Sequence, residues 1–216
     1  MFEEVTETIA IPRLGDKAPS FEAVTTKGKL MLEDYRGKWL ILFSHPSSFS
    51  PVCATELVGF QEIYPLLKDY GVEILGLSVD SLSAHLAWLR GIEESFNTSI
   101  EYPIIADKDQ SVATKYGMIM PGESHTETSR AVFILDQEHV IRSIMYYPIS
   151  TGRNMKELVR LVQALQTAQM HDVYTPANWE PGDKVLVAPP KTQDDMGGSS
   201  EEGVEQIDWY VGKKIL

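Results

Sequence analysis

Apolar residues recur along this chain in two ways, as short unbroken runs and as stretches with helical spacing. Trp39 to Phe43 is a wholly apolar run, as expected of a strand buried on both faces. Cys53 to Tyr70 has helical spacing, with Leu57, Phe60, Ile63, Tyr64 and Leu67 on one face. Pro65 inside that pattern predicts a kink or break, and Gly71 predicts the stop. Val72 to Val79 reads as a second strand and Leu82 to Phe96 as a second helix, weakened by Gly91. Ser111 to Tyr116 is a short helix ended by Gly117. Ala131 to Leu135 and Val140 to Tyr147 predict a hairpin turning at Asp136-Gln137-Glu138-His139. Asn154 to Met170 is a further helix, with Leu158, Leu161, Val162 and Leu165 spaced for burial.

Strand, helix, strand, helix, hairpin and helix make an α/β domain with a mixed sheet. Its first helix starts at the C-terminal end of a central strand, where ligands collect in open α/β sheets. After about Asp172 the texture changes. Prolines become frequent (Pro176, Pro181, Pro189, Pro190), and Asp194 to Gly203 reads as a flexible acidic loop. The expected division is a domain over 1–171 and an arm over 172–216. Trp179, Val185 to Val187 and Trp209 to Val211 give the arm apolar patches that need a surface to cover.

Composition narrows the options. The 216 residues are 43% apolar and 23% charged, as in an ordinary globular protein. A net charge of −12 argues against nucleic acid and against anionic membranes as partners. No apolar stretch approaches a membrane span, and Met1-Phe2-Glu3-Glu4 is acidic where a secretory signal would be basic. One cysteine suits a reducing compartment, so a cytoplasmic location is expected.

That cysteine, Cys53, is the most informative residue. It cannot form an intramolecular disulfide, so its chemistry is that of one thiol with an outside partner. Ser50 is a good N-cap and Pro51 suits the first helical position, which puts Cys53 at the third. Unpaired N–H groups and the positive end of the helix dipole favour a thiolate there. The opposite reading is a small buried hydrophobe.

The run Pro46-Ser47-Ser48-Phe49-Ser50-Pro51-Val52-Cys53 resembles the active-site loop of the peroxiredoxins, Pro-x-x-x-(Thr/Ser)-x-x-Cys, with the spacing intact. Trp39 to Ser44 before it and Thr55-Glu56-Leu57 after it fit as well; Ala54 departs from the more usual threonine. Asn178 to Asp183 is similar to the C-terminal extension of the long one-cysteine subfamily. The resemblance implies a thioredoxin-like fold and a thiol peroxidase that reduces hydrogen peroxide and alkyl hydroperoxides without cofactor or metal. In that reading Cys53 is the nucleophile, oxidised to a sulfenic acid. Ser50 caps the helix and bonds near the peroxide, and Pro46 shields the site. Arg130 binds substrate and supports the thiolate. Arg153, Glu56 and His45 support them, with His45 set either against the sulfur or as a structural residue bonded to backbone. The arm implies a homodimer, assembling into a decamer ring. With no second cysteine, an external thiol, either thioredoxin or a small thiol, must reduce the sulfenic acid.

Two rival classes bear weighing. Gly76-Leu77-Ser78-Val79-Asp80 half resembles a hydrolase nucleophile elbow but ends in Asp80 where glycine is needed. Some relatives are credited with a lipase segment; here Lys38 stands where its serine would be, and no lipase activity is expected. A binding or chaperone module on the same fold would leave the Cys53 motif as a relic. Scattered histidines give no metal-ligand spacing.

Overall fold

The computed structural model describes residues 11–192 and 203–216. The opening Met1-Phe2-Glu3-Glu4 and the acidic loop from Asp194, apart from Gly203, lie outside the described residues. The chain divides into two compact units, Met1–Met155 and Lys156–Leu216.

The first unit is built on β1 (Glu22–Thr25), β2 (Gly28–Met31), β3 (Trp39–Ser44), β4 (Val72–Ser78), β5 (Ile104–Ala106), β6 (Arg130–Leu135) and β7 (Ile141–Tyr147). They form one sheet in the order β2-β1-β5-β4-β3-β6-β7. β3, β4 and β5 run parallel, while β6, β7, β1 and β2 pair antiparallel, so the sheet is mixed as the pattern predicts. Parallel neighbours need crossovers, and α1 (Pro51–Asp69) and α2 (Leu82–Phe96) supply them. Every residue of β3 and β6 is buried, which explains their unbroken apolar runs. Leu40, Leu42, Leu75, Leu77, Ala131 and Phe133 point into a core shared with Phe21, Ile105 and Tyr116. On the opposite face Phe43 stacks on Phe60 of α1, with ring centroids 3.9 Å apart.

Helix α1 buries Leu57, Phe60, Tyr64 and Leu67 at helical spacing and ends at Gly71, whose φ of 69° suits glycine. Pro65 does not end the helix, which runs on to Asp69. The proline is exposed, where water can satisfy the carbonyl that its missing N–H leaves free. Helix α3 (Ser111–Lys115) and the β6–β7 hairpin follow the pattern closely. The short strands β1, β2 and β5 were not foreseen.

The second unit carries α4 (Met155–His171), together with β8 (Val185–Leu186), β9 (Glu205–Asp208) and β10 (Val211–Lys214), which form an antiparallel sheet in the order β8-β10-β9. Ala164, Val173, Trp179 and Val185 make a small core of their own. Two of the tail's apolar patches thus meet α4, with Arg160 donating to the Trp179 carbonyl at 3.0 Å. Trp209 and Tyr210 stay exposed. Among the described residues no helix is long and apolar enough to cross a membrane.

Candidate active site

The C-terminal end of β3 leads through His45 to Ser50 into the first turn of α1. Pro51 occupies the start of that turn, and Cys53 follows, fully buried. Ser50 is the N-cap residue, and its carbonyl accepts the Ala54 N–H at 3.0 Å. Its hydroxyl does not cap the helix, contrary to the expectation from residue type.

Four sequence-predicted residues meet at one point. Arg130, first residue of β6, places Nη1 3.3 Å from Cys53 Sγ and 2.6 Å from Glu56 Oε2. Its Nε and Nη2 both donate to the Ile149 carbonyl, at 2.9 and 2.7 Å, which fixes the guanidinium plane. Glu56 lies one turn beyond Cys53 on α1. Its carboxylate takes Arg153 Nε at 2.8 Å and Nη2 at 2.6 Å, and the Arg153 backbone N–H at 2.9 Å. Arg153 Nη1 donates to the carbonyls of Ser44 and Ala131, at 2.9 and 3.0 Å. The Phe43 and Phe60 rings lie about its Cζ, at 5.1 and 5.3 Å. All four side chains are buried. Two guanidinium groups against one carboxylate leave this buried cluster a single positive charge in excess.

Pro46 is buried in the loop ahead of the thiol. His45 is fully buried too, and neither ring nitrogen has a hydrogen-bond partner. The ring bonds neither the sulfur nor backbone. Its ring stacks on Trp88, with centroids 5.4 Å apart. Burial, then the neighbouring His85, Arg153 and Arg130, push its pKa well below that of an ordinary histidine. The imidazole is therefore neutral.

Residue-by-residue reading missed two supports. The Ser44 hydroxyl donates to the Ser129 carbonyl at 2.6 Å and accepts the Ala131 N–H at 3.1 Å, tying β3 to the strand that carries Arg130. Ile149 contributes only a carbonyl, which no side-chain pattern encodes. Among the described residues no group of three or more His, Cys, Asp or Glu could hold a metal ion.

A mixed α/β sheet with one buried thiol at a helix start, beside a fixed guanidinium, defines a thiol-chemistry protein of thioredoxin-like architecture. Comparisons with known proteins agree. Residues 14–144 match the AhpC/TSA family, and residues 164–197 match the C-terminal domain of 1-Cys peroxiredoxin. A peroxiredoxin of Aquifex aeolicus is 47% identical over 219 residues, covering 96% of this chain and 99% of that protein. A peroxiredoxin of Methanosarcina mazei is 47% identical over 211 residues, covering 93% and 96%. The structure of yeast mitochondrial 1-Cys peroxiredoxin matches with a TM-score of 0.86 at 33% identity, covering 95% of this chain and all of that one. A Cys-to-Ser mutant of peroxiredoxin 6 from Arenicola marina matches at 0.79 with 36% identity, covering 86% and 87%. The chain belongs to the AhpC/TSA family, the peroxiredoxins. It is a thiol-dependent peroxidase of antioxidant type, acting on peroxides and drawing on thiol reductants.

Proposed function

We propose that Cys53 is the reacting thiol and that Arg130, Glu56 and Arg153 hold it in its reactive state. The observation that carries this is Arg130 Nη1 at 3.3 Å from Cys53 Sγ. A thiolate at Cys53 brings the buried cluster's charge to zero, where a thiol leaves it positive. The thiolate attacks one peroxide oxygen. The S–O bond forms as the O–O bond breaks, and the departing hydroxide or alkoxide leaves as water or alcohol after taking a proton. The Arg130 guanidinium faces the place where that negative charge develops. Pro46 screens the sulfur from bulk water. Ser50, half-buried and with its hydroxyl not spent on capping, bonds the bound peroxide.

The resulting sulfenic acid has no second cysteine to meet within the chain. One external thiol condenses with it, releasing water and leaving a mixed disulfide. A second thiol reduces that bond and restores Cys53. The reductant is thioredoxin or a small thiol, and the yeast relative was studied with glutathione and thioredoxin systems. Residues 172–216 serve as a dimerisation arm, with exposed Trp209 and Tyr210 as its contact, and the dimers assemble into a decamer ring in the cytoplasm. Light scattering that shows a monomer at micromolar concentration overturns the assembly.

The chemistry is tested by stopped-flow tryptophan fluorescence of reduced protein mixed with hydrogen peroxide, beside Cys53→Ser. Trp88, stacked on His45 beside the loop, is a built-in reporter. A fast, peroxide-dependent change absent from the variant supports the assignment. A reaction no faster than that of a free thiol refutes it.

A further inference from the structure

The loop that carries Pro46 and Ser50 is held on its far side by groups outside the charged cluster. Ser48 is fixed at two points. Its backbone N–H donates to Asp80 Oδ2 at 2.6 Å, and its hydroxyl lies 3.2 Å from His85 Nδ1. Asp80 and His85 are joined in turn through Ser78. The Ser78 hydroxyl donates to Asp80 Oδ2 at 2.8 Å and lies 3.2 Å from His85 Nε2. The four residues therefore close a ring of hydrogen bonds. Ser78 is the last residue of β4, Asp80 sits in the following turn, and His85 is in the first turns of α2.

Proton counting fixes the direction of every bond. Ser78 has one O–H, and it is spent on the carboxylate. Its oxygen must then accept from His85, so Nε2 carries the proton. His85 is buried, and burial holds its pKa below the ordinary histidine value against the opposing pull of Asp80 and of a hydrogen bond to the Ile105 backbone. In the neutral ring Nδ1 is bare and accepts the Ser48 O–H. The chain of donation runs from Ser48 through His85 and Ser78 to Asp80, and Asp80 returns to Ser48 by accepting its backbone N–H. Each member is satisfied by the next.

The loop needs such a restraint. Phe49, directly after Ser48, sits at φ 62°, a left-handed conformation that is costly for a bulky residue and persists only where neighbours enforce it. Ser44 and Pro51 anchor the two ends of the segment in β3 and α1, and Ser48 is its anchored midpoint.

We propose that Ser48, Ser78, Asp80 and His85 form a latch that positions the 45–50 loop for the reaction of Cys53 with peroxide. Asp80 and His85 are thus positioning residues. The inference rests on Cys53 as the reacting thiol, and Cys53→Ser run alongside separates failure of that reading from failure of this one.

The test compares two rate constants in each folded variant: oxidation of Cys53 by hydrogen peroxide, and alkylation by iodoacetamide. Peroxide must be held in line by the loop, whereas iodoacetamide needs only a reachable thiolate. Ser48→Ala and Asp80→Ala are expected to slow peroxide oxidation at least about tenfold, since misplacement by ~1 Å in such sites costs on the order of a hundredfold. Alkylation is expected to hold or quicken. Asp80→Asn keeps an oxygen acceptor for both Ser48 N–H and Ser78 O–H, and it is expected to recover most of the loss. If Asp80→Ala does not fold, Ser48→Ala and Asp80→Asn decide. Peroxide rates equal to wild type in the alanine variants overturn the latch. So does a parallel fall of both rates, or an Asp80→Asn variant that oxidises at least tenfold more slowly than wild type.

Discussion

Replacing Glu56 with glutamine is the sharpest test of the buried charge cluster. The substitution keeps the side chain's shape and removes its charge. Each carboxylate oxygen now accepts two bonds: Oε1 from the Arg153 backbone N–H and Nε, and Oε2 from Arg130 Nη1 and Arg153 Nη2. Whichever way the amide turns, its NH2 replaces an oxygen that faced two donors. Two bonds are lost and donors then face donors. Two guanidinium groups are also left buried with no carboxylate between them. Breaking a buried ion pair from one side costs about 3–5 kcal/mol. That is a large share of the roughly 5–15 kcal/mol by which a domain is stable. At about 2–4 °C per kcal/mol for a chain of this size, the melting midpoint is expected to fall by about 6–20 °C. Thermal and urea unfolding followed by far-UV circular dichroism, at fixed protein concentration, measure it. Glu33→Gln is the control, because it opens the exposed Arg36 pair and is expected to shift the midpoint little. A Glu56→Gln midpoint no lower than that control would refute the reasoning, because the cluster would then not depend on its carboxylate.

Further outcomes follow from the same geometry. Arg130→Lys cannot both clamp the Ile149 carbonyl twice and reach Cys53 Sγ, so peroxide oxidation is expected to slow roughly a hundredfold or more in stopped flow; an unchanged rate would remove Arg130 from the reaction. His45 and His85 both have pKa values pushed below the ordinary 6.5, chiefly by burial. The unfolded chain therefore takes up protons that the folded one refuses. Their stabilising contribution is complete above pH 6.5 and is lost as pH falls, by about 1.4 kcal/mol per pH unit for each proton taken up. Urea midpoints between pH 7 and 5 should show this slope, and His45→Phe should reduce it; an identical slope in the variant would count against a neutral His45. Gly91 lies within α2, and a Cβ there meets nothing within 4 Å, so Gly91→Ala is expected to add about 0.8–1 kcal/mol in urea unfolding. A loss of stability would mean the helix needs glycine there for a reason its surroundings do not show.

Burial and element length decided what was legible in the sequence. β3, β4, β6 and β7 and the long helices each hold enough apolar positions for their period to show. β5 has three residues, too few for any period, and β9 is exposed throughout and polar apart from Ile207. Pro65 does not break α1 because it faces water, and a helical pattern alone does not encode that exposure. The Cys53, Arg130, Glu56 and Arg153 constellation was readable only through the likeness to a known motif, since the four are spread over a hundred residues. Ser78 and Asp80 did stand out, but as half of a hydrolase elbow. Their partners Ser48 and His85 are brought to them only by folding.

The sheet order explains why both sets of groups converge on one loop. β3 has β4 parallel on one side and β6 antiparallel on the other. A parallel neighbour brings its own C-terminal end alongside that of β3, as Ser44 paired with Leu77 shows. Ser78 and Asp80 therefore emerge beside the loop. An antiparallel neighbour brings its beginning to the same place, as Phe43 paired with Val132 shows, and the strand's first residue is Arg130. A wholly parallel sheet would carry the start of β6, and with it Arg130, to the opposite end of β3. The mixed sheet is thus what sets a cation beside Cys53 on one flank of the loop and a hydrogen-bonded ring closed on the Asp80 carboxylate on the other.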